Sequence, residues 1–293
     1  MKIRMFPRSN SNVSLFPLGK LLSFVLFMVL FTPLLRALEL TGSWSQGGML
    51  IGRTAPDADI QFMGKRVRVS DQGVFVIALG RDAPADVELL VQVANGPAEH
   101  HYFHIAQRQY PEERVEGVPQ RTVTPPEDVL QRIREEAALV RAARADDEHF
   151  QYFRDGFRRP LEGRISGVYG SRRIYNGTPG RPHYGLDIAA PTGTPVHAPA
   201  AGVVKLSHRD MYYSGGTLII DHGHGITSSF IHLSKIHVQP GDLVKMGDLI
   251  AEVGSSGRAT GPHLDWRINW FDVRVDPALV LESFPASSAQ PEP

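Results

Sequence analysis

The chain has 293 residues, 42% of them hydrophobic, and its 31 basic and 31 acidic side chains cancel. A neutral chain without a dense Lys/Arg tract gives no electrostatic case for nucleic acid as the main partner, and this length allows one or two domains with cores of their own. With no cysteine, neither a disulfide framework nor a thiolate metal site can form, so any metal must be held by His, Asp or Glu.

Residues 1–37 place Lys2, Arg4, Arg8 and Lys20 ahead of an almost unbroken apolar run over 21–35, followed by Arg36-Ala37. This is the pattern of a secretory signal peptide, and about 15 apolar residues fall short of the roughly 20 that span a bilayer as a helix. Ala37 suits a cleavage point, whereas Leu35 is larger than the small residue usual there. Two outcomes therefore stand: a removed signal, or an N-terminal anchor in contact with the membrane. Either puts the bulk of the chain outside the cytoplasm, in the periplasm or cell envelope.

Over residues 38–108, short apolar runs such as Met49-Leu50-Ile51, Val74-Phe75-Val76-Ile77 and Val87-Glu88-Leu89-Leu90-Val91 are cut by turn signals, among them Met63-Gly64 and Asn95-Gly96-Pro97. This predicts a small antiparallel β-sandwich. His100, His101 and His104 read as surface histidines, because on a strand 101 and 104 face opposite sides. Residues 109–156 are predicted to be an extended linker over 109–123 and then one amphipathic helix. Thr124 and Glu127 have capping-box spacing, and Val129, Leu130, Ile133, Ala137, Val140 and Ala143 recur with helical period to about Ala145. The apolar stripe is expected to pack on a neighbouring domain. Residues 157–284 change to Gly-rich β composition, and 285–293 form a Pro/Ser/Ala tail expected to be disordered. The fold class that results is mainly β: a small N-terminal antiparallel sandwich, a connecting helix and a C-terminal antiparallel-sheet domain.

Two segments of that last domain carry chemistry. One reads His183-Tyr184-Gly185-Leu186-Asp187, the other Gly261-Pro262-His263-Leu264-Asp265-Trp266. Residues two apart on a strand share a face, so His183, Gly185 and Asp187 are expected to project together, as are His263 and Asp265. Gly185, without a side chain, leaves room over that face for an ion and its water. Residue types and spacing point to a hydrolytic zinc site.

Further stretches extend the pattern over about residues 161–281: Gly163-Arg164-Ile165-Ser166-Gly167-Val168-Tyr169-Gly170, Gly193-Thr194-Pro195-Val196, Asp221-His222-Gly223-His224-Gly225, Phe230-Ile231-His232-Leu233-Ser234, Gly241-Asp242-Leu243-Val244 and Gly254-Ser255-Ser256-Gly257. In these the chain resembles the lysostaphin/LytM family of peptidoglycan metallopeptidases. The resemblance implies a LytM-type peptidase domain, a zinc ion (one per chain) held by His183 and Asp187, and catalytic histidines at His232 and His263. The family's closing His-x-His motif stands here as His263-Leu264-Asp265, so Asp265 occupies the third ligand position. The implied activity is zinc-dependent endopeptidase hydrolysis of peptidoglycan stem peptides in the cell envelope. His222 and His224 match no ligand and are expected at a glycine-rich turn or a solvent-facing strand end; residues 172–181 and 211–216 are expected to wall the groove.

Aspartate is an ordinary zinc ligand, but two carboxylates neutralise the ion's charge and leave its bound water less acidic. A working His-Asp-Asp zinc site is the expectation, against a site for a harder ion such as manganese or one too weak to hold metal. Two further readings stand beside the enzyme. One is a catalytically silent LytM-like module that binds or activates other cell-wall hydrolases. The other makes the N-terminal domain and helix a restraining unit that answers to a regulatory protein partner.

Overall fold

The computed structural model describes residues 38–94 and 96–287; the signal or anchor expected over 1–37 lies outside them. Among the described residues no helix is long and apolar enough to cross a membrane. The fold is mainly β.

The N-terminal strands are β1 (Glu39–Gly42), β2 (Met49–Arg53), β3 (Ala58–Phe62), β4 (Lys65–Val67), β5 (Val74–Ala78), β6 (Asp86–Val93) and β7 (Ala98–His104). They form two sheets, β1-β2-β5 and β4-β3-β6-β7, with every pairing antiparallel. Alternation decides what is buried: on β6, Val87, Leu89 and Val91 are buried while Glu88 is exposed. Met63 and Gly64, both with positive φ, make the two-residue turn between β3 and β4, the backbone that a tight hairpin requires. The three histidines sit on β7, where His100 pairs with Glu88 and His104 with Asp86 at the surface.

The segment expected to be an extended linker contributes a strand instead. β8 (Glu112–Val115) runs parallel to β10 (Arg172–Tyr175), which also pairs with β11 (Thr178–Pro179). A short helix (Gln120–Val123) follows, and Thr124 caps its C-terminus rather than starting the next helix. Two prolines explain the change: the residue before a proline is held extended, and Thr124 and Pro126 both have extended backbones. A 3₁₀ turn (Glu127–Val129) then leads into the helix Leu130–Ala142, with no side-chain cap on either. The chain continues through i→i+3 turns to Ala145.

The C-terminal strands are β9 (Arg164–Gly167), β12 (Leu186–Ala189), β13 (Pro195–His197), β14 (Gly202–Met211), β15 (Gly215–Gly223), β16 (Ile226–Leu233), β17 (Lys235–Ile236), β18 (Leu243–Val244), β19 (Leu249–Glu252), β20 (His263–Trp270) and β21 (Val273–Val275). The main sheet has the order β18-β14-β15-β16-β20-β12-β9, with β21 also on β20, and β13-β19-β17 forms a smaller one. β20 lies between β16 and β12; its Leu264, Trp266 and Ile268 point into the core and are fully buried. Their neighbours Asp265 and Arg267 therefore face the other way, toward the cleft described below.

The N-terminal sheets pack on this domain. Phe62 lies against Trp270, Arg108 bonds Asp276 at 2.8 Å, and Gly47 O accepts from Asp276 N. Asp276 also caps the last helix (Pro277–Ser283). The tail expected to be disordered from Pro285 is tied down at its start, where Pro285 bridges Phe157 and Ala286 N donates to Phe157 O; residues 288–293 lie outside the described part.

Candidate metal centre

A cleft of about 1250 Å³ lies over the open face of β20, β12 and β16. Its walls include Arg173, Tyr175 and Tyr213 from the two segments expected to form them. Ile133, Ala137 and Val140 also line it, so the apolar stripe of the helix faces the cleft.

His183, Asp187 and Asp265 meet at its floor, all buried, with one ligand atom of each within 4.8 Å of the others. Asp187 and Asp265 are directly opposite across the β12–β20 pair. His183 precedes β12 and is held by its own backbone, its N–H donating to Ser171 O and its carbonyl accepting from Gly170 N. Expected strand alternation is thus met only from Leu186 onward, yet His183 Nε2 still lies 3.1 Å from Asp187 Oδ1. Two glycines at the floor, Gly185 and Gly167, have a steric reason. A Cβ on Gly185 would lie 2.0 Å from Asp265 Oδ1, and one on Gly167 would lie 2.2 Å from Asp187 Oδ2.

Two carboxylates opposite each other repel, and the chain answers with two arginines that sequence reasoning did not single out. Arg267 Nε and Nη2 donate to Asp265 at 3.0 and 2.5 Å, and Arg173 Nη2 donates to Asp187 Oδ2 at 3.0 Å while its Nε faces Glu113 at 3.1 Å. Burial opposes ionisation of Asp265, but Arg267 outweighs it and holds the carboxyl well below the usual range. Asp187 is pushed up by burial and by Asp265; His183 reverses this and leaves it lowered. The signal for Arg267 was present in the strand pattern, two residues from Asp265 on the same face.

These residues fit a divalent cation. His183 Nε2 and Asp187 Oδ1 are buried, face each other at 3.1 Å and have no other partner among the described residues, so an ion between them would satisfy both. A carboxylate has about four lone-pair sites, so the Arg267 pairing leaves Asp265 able to accept from a cation as well. Two acidic groups and one imidazole, all neighbouring and each with lone-pair sites left over, match a three-ligand catalytic zinc set.

Two more histidines flank that floor. His263 Nδ1 lies 2.8 Å from Gly261 O, and His232 Nδ1 lies 2.7 Å from Ser256 O. A carbonyl only accepts, so both Nδ1 atoms carry the proton and both Nε2 atoms present lone pairs. The rings are 4.9 Å apart, and His263 Nε2 is 4.0 Å from Asp187 Oδ1. Burial pushes His232 down to about 4, so it stands neutral at physiological pH.

The placement of His232 has a local cause. Ile231 is opposite Asp265, so simple alternation would send the next residue to the far side of the sheet. Instead the β15–β16 register shifts between Gly216 and Leu218, a bulge in which His232 takes φ +66° and its N–H bonds Ser214 O. Both Ile231 and His232 then line the cleft, the kind of re-aiming that bulges perform beside active sites.

His222 and His224 are elsewhere. His222 is fully buried, donating from Nδ1 to Ala201 O, while its Nε2 accepts from the Ser228 hydroxyl, which in turn accepts from Trp266 Nε1. His224 sits at φ +49° in the turn between β15 and β16, beside Phe153.

Comparison with known proteins identifies relatives of this chain. Residues 181–277 match the model of peptidase family M23. A crystal structure of an M23 peptidase from Pseudomonas aeruginosa is 31% identical, with a TM-score of 0.62, and the match covers 82% of this chain and 95% of that one. The peptidoglycan DD-endopeptidase ShyA of Vibrio cholerae is 37% identical over 131 residues, 44% of this chain and 30% of that protein. The DD-carboxypeptidase/endopeptidase Mpg of Neisseria meningitidis is 39% identical over 117 residues, 40% of this chain and 27% of that protein. The chain thus matches under a third of the length of these curated relatives. With a solved structure matched along nearly its whole length and the site's five residues gathered in one cleft, the chain belongs to peptidase family M23.

Proposed function

We propose that this chain is a zinc-dependent endopeptidase that hydrolyses peptide cross-links of peptidoglycan, exported to the periplasm or cell envelope. The observation that carries it is the cluster of His183 Nε2 and Asp187 Oδ1, buried with no partner but each other among the described residues, beside Asp265 and under two histidines whose Nε2 lone pairs face the same cleft. The substrate class comes from the relative ShyA, a peptidoglycan DD-endopeptidase.

His183, Asp187 and Asp265 would hold the ion. Bound there, zinc supplies Lewis acidity toward the scissile carbonyl and toward a water. The residues of the chain do the rest. His263 Nε2, nearer the ligands, takes a proton from water as its oxygen attacks the carbonyl carbon. The imidazolium so formed donates from Nε2 to the tetrahedral oxyanion, while the Nε2 lone pair of neutral His232 accepts a hydrogen bond from the attacking water. As the C–N bond breaks, the departing amine nitrogen receives the proton back. Burial of His232 keeps it neutral, and its hydrogen bond to Ser256 O fixes the ring. Arg173 and Arg267 hold the two carboxylates in their ionised form.

The test is digestion of purified cross-linked peptidoglycan by metal-free protein and by the same protein after zinc or manganese is restored, with dimeric and monomeric muropeptides counted. Dimers should disappear only with zinc. One observation favours a second reading, a catalytically silent module: Arg267 already engages both oxygens of Asp265. Persistence of dimers under every condition, with the protein still bound to the sacculus, would establish that reading instead.

A further inference from the structure

Along β20 the cleft changes character. Asp265 and Arg267 share the open face of the strand, and Ser229 lies opposite Arg267 on β16. Ser229 Oγ accepts from Arg144 Nη2 at 2.8 Å, which brings the residue just past the long helix onto the same spot. One step further, Arg274 on β21 is opposite Asn269 and bonds its Oδ1 at 3.4 Å. All three arginines line the cleft and repel one another electrostatically.

Their charges are not balanced. Arg267 is spent on Asp265, but no carboxylate lies within ion-pairing distance of Arg144 or Arg274 among the described residues. Arg144 Nε is buried with no hydrogen-bond partner among the described residues. Burial first, and the neighbouring arginines second, push Arg274 down to about 10 and Arg144 down as well. Arg274 nevertheless remains charged at neutral pH. Two desolvated guanidinium groups without counter-charges cost several kcal/mol by ordinary solvation. A cluster of like charge held against that cost inside a cleft marks a place where an anion is bound.

We infer that Arg144 and Arg274, on either side of Arg267, form a subsite for a carboxylate of the bound peptide, beside the metal ligands on β20. The inference rests on the peptidase reading for the identity of the ligand as a peptide. Position limits which carboxylate. One strand repeat of two residues separates Asp265 from Arg267, about 6.6 Å, and an extended peptide advances about 3.5 Å per residue. The carboxylate therefore lies one or two residues from the scissile amide, either the α-carboxylate of a chain end or a side-chain carboxylate. Tyr184, whose ring lies 5.8 Å from the Arg274 guanidinium, supplies an aromatic wall beside it.

The experiment uses metal-free full-length chain, so that no ion supplies the contact. Binding of N-acetyl-D-alanyl-D-alanine is compared with that of its C-terminal carboxamide, and N-acetyl-D-glutamic acid α-amide with its diamide, by titration. At least one acid should bind about tenfold more tightly than its amide, a typical difference for one charge-assisted pairing, and which acid does so identifies the source of the carboxylate. In R144Q/R274Q the ratio should fall to about one, and R274K should keep part of it. Without ligand, R144Q/R274Q should melt no lower than the parent, since unpaired buried charge has been removed. Absence of any acid preference in the parent, its persistence in the double variant, or a lower melting temperature for that variant would each overturn the subsite. Muropeptide cleavage is scored separately: cleavage without acid preference sinks the subsite alone, and acid preference without cleavage sinks the peptidase reading alone.

Discussion

Gly185 and Arg267 set the terms on which the floor of the cleft can hold an ion. Because a Cβ at Gly185 would meet Asp265 Oδ1 at 2.0 Å, Gly185→Ala must displace that carboxylate. Zinc content after dialysis should drop to a small fraction of the parent's, while far-UV circular dichroism stays unchanged. Arg267 acts in the opposite sense. It stabilises ionised Asp265, but it also places a cation beside the cation to be bound. At a few ångströms and an effective dielectric of about 20, such a pair repels by roughly 2–4 kcal/mol. Arg267→Gln should accordingly tighten zinc about tenfold or more in a chelator competition, and lower the melting temperature of the metal-free protein, where Asp187 and Asp265 lose a counter-charge. Weaker zinc binding in that variant would mean that Arg267 is needed to aim Asp265. For the histidines the expectation concerns rate: His263→Ala should lose about 10²–10⁴-fold in muropeptide hydrolysis, the usual worth of a positioned acid–base group, with zinc still bound.

β20 is the element on which site and core meet. Its outward residues Asp265 and Arg267 carry chemistry, and its inward residues Leu264, Trp266 and Ile268 are fully buried. Trp266→Ala should therefore cost about 3–5 kcal/mol in urea unfolding and lose zinc as well, because the strand that presents Asp265 is the strand that loses its packing. The bulge on β16 shows the limit of reading strands by alternation. It places Ile231 and His232 on the same cleft, through a non-glycine residue in the left-handed region. The long helix shows another limit. Its period was legible, but its start moved from Thr124 to the 3₁₀ turn at Glu127 because two prolines intervene.

At the scale of the whole molecule, acid should weaken the fold through buried imidazoles. Burial pushes His222 down to about 4, against about 6.5 in an unfolded chain. Between these values the unfolded state binds the additional proton, so this contribution is complete above about pH 6.5 and is lost as pH falls toward 4. For His222 the loss is roughly 3 kcal/mol at the lower end. Burial raises Asp221 to about 6, which acts in the opposite direction, so the effect is best isolated by difference. His222→Gln should reduce the drop in unfolding free energy between pH 7 and pH 4.5 relative to the parent. An equal drop in both proteins would show that the ring is protonated in the native state.

The amino-acid sequence by itself determined the β class and the strands of the N-terminal sheets, because these depend on local period and turn chemistry. The pairs His183/Asp187 and His263/Asp265 were legible as candidates by residue type and spacing, and His232 only through the ordered motifs that carry the family resemblance; the structure brings all five to one cleft. The tertiary structure alone decided what surrounds them. It turned residues 112–115 into a strand beside β10, laid the helix stripe along the cleft, and brought Arg173, Arg144 and Arg274 toward the floor from distant parts of the chain. Charges that neutralise or repel across a cleft are set by which strands and helices pack together, and a lone arginine has no periodic signature that announces its partner.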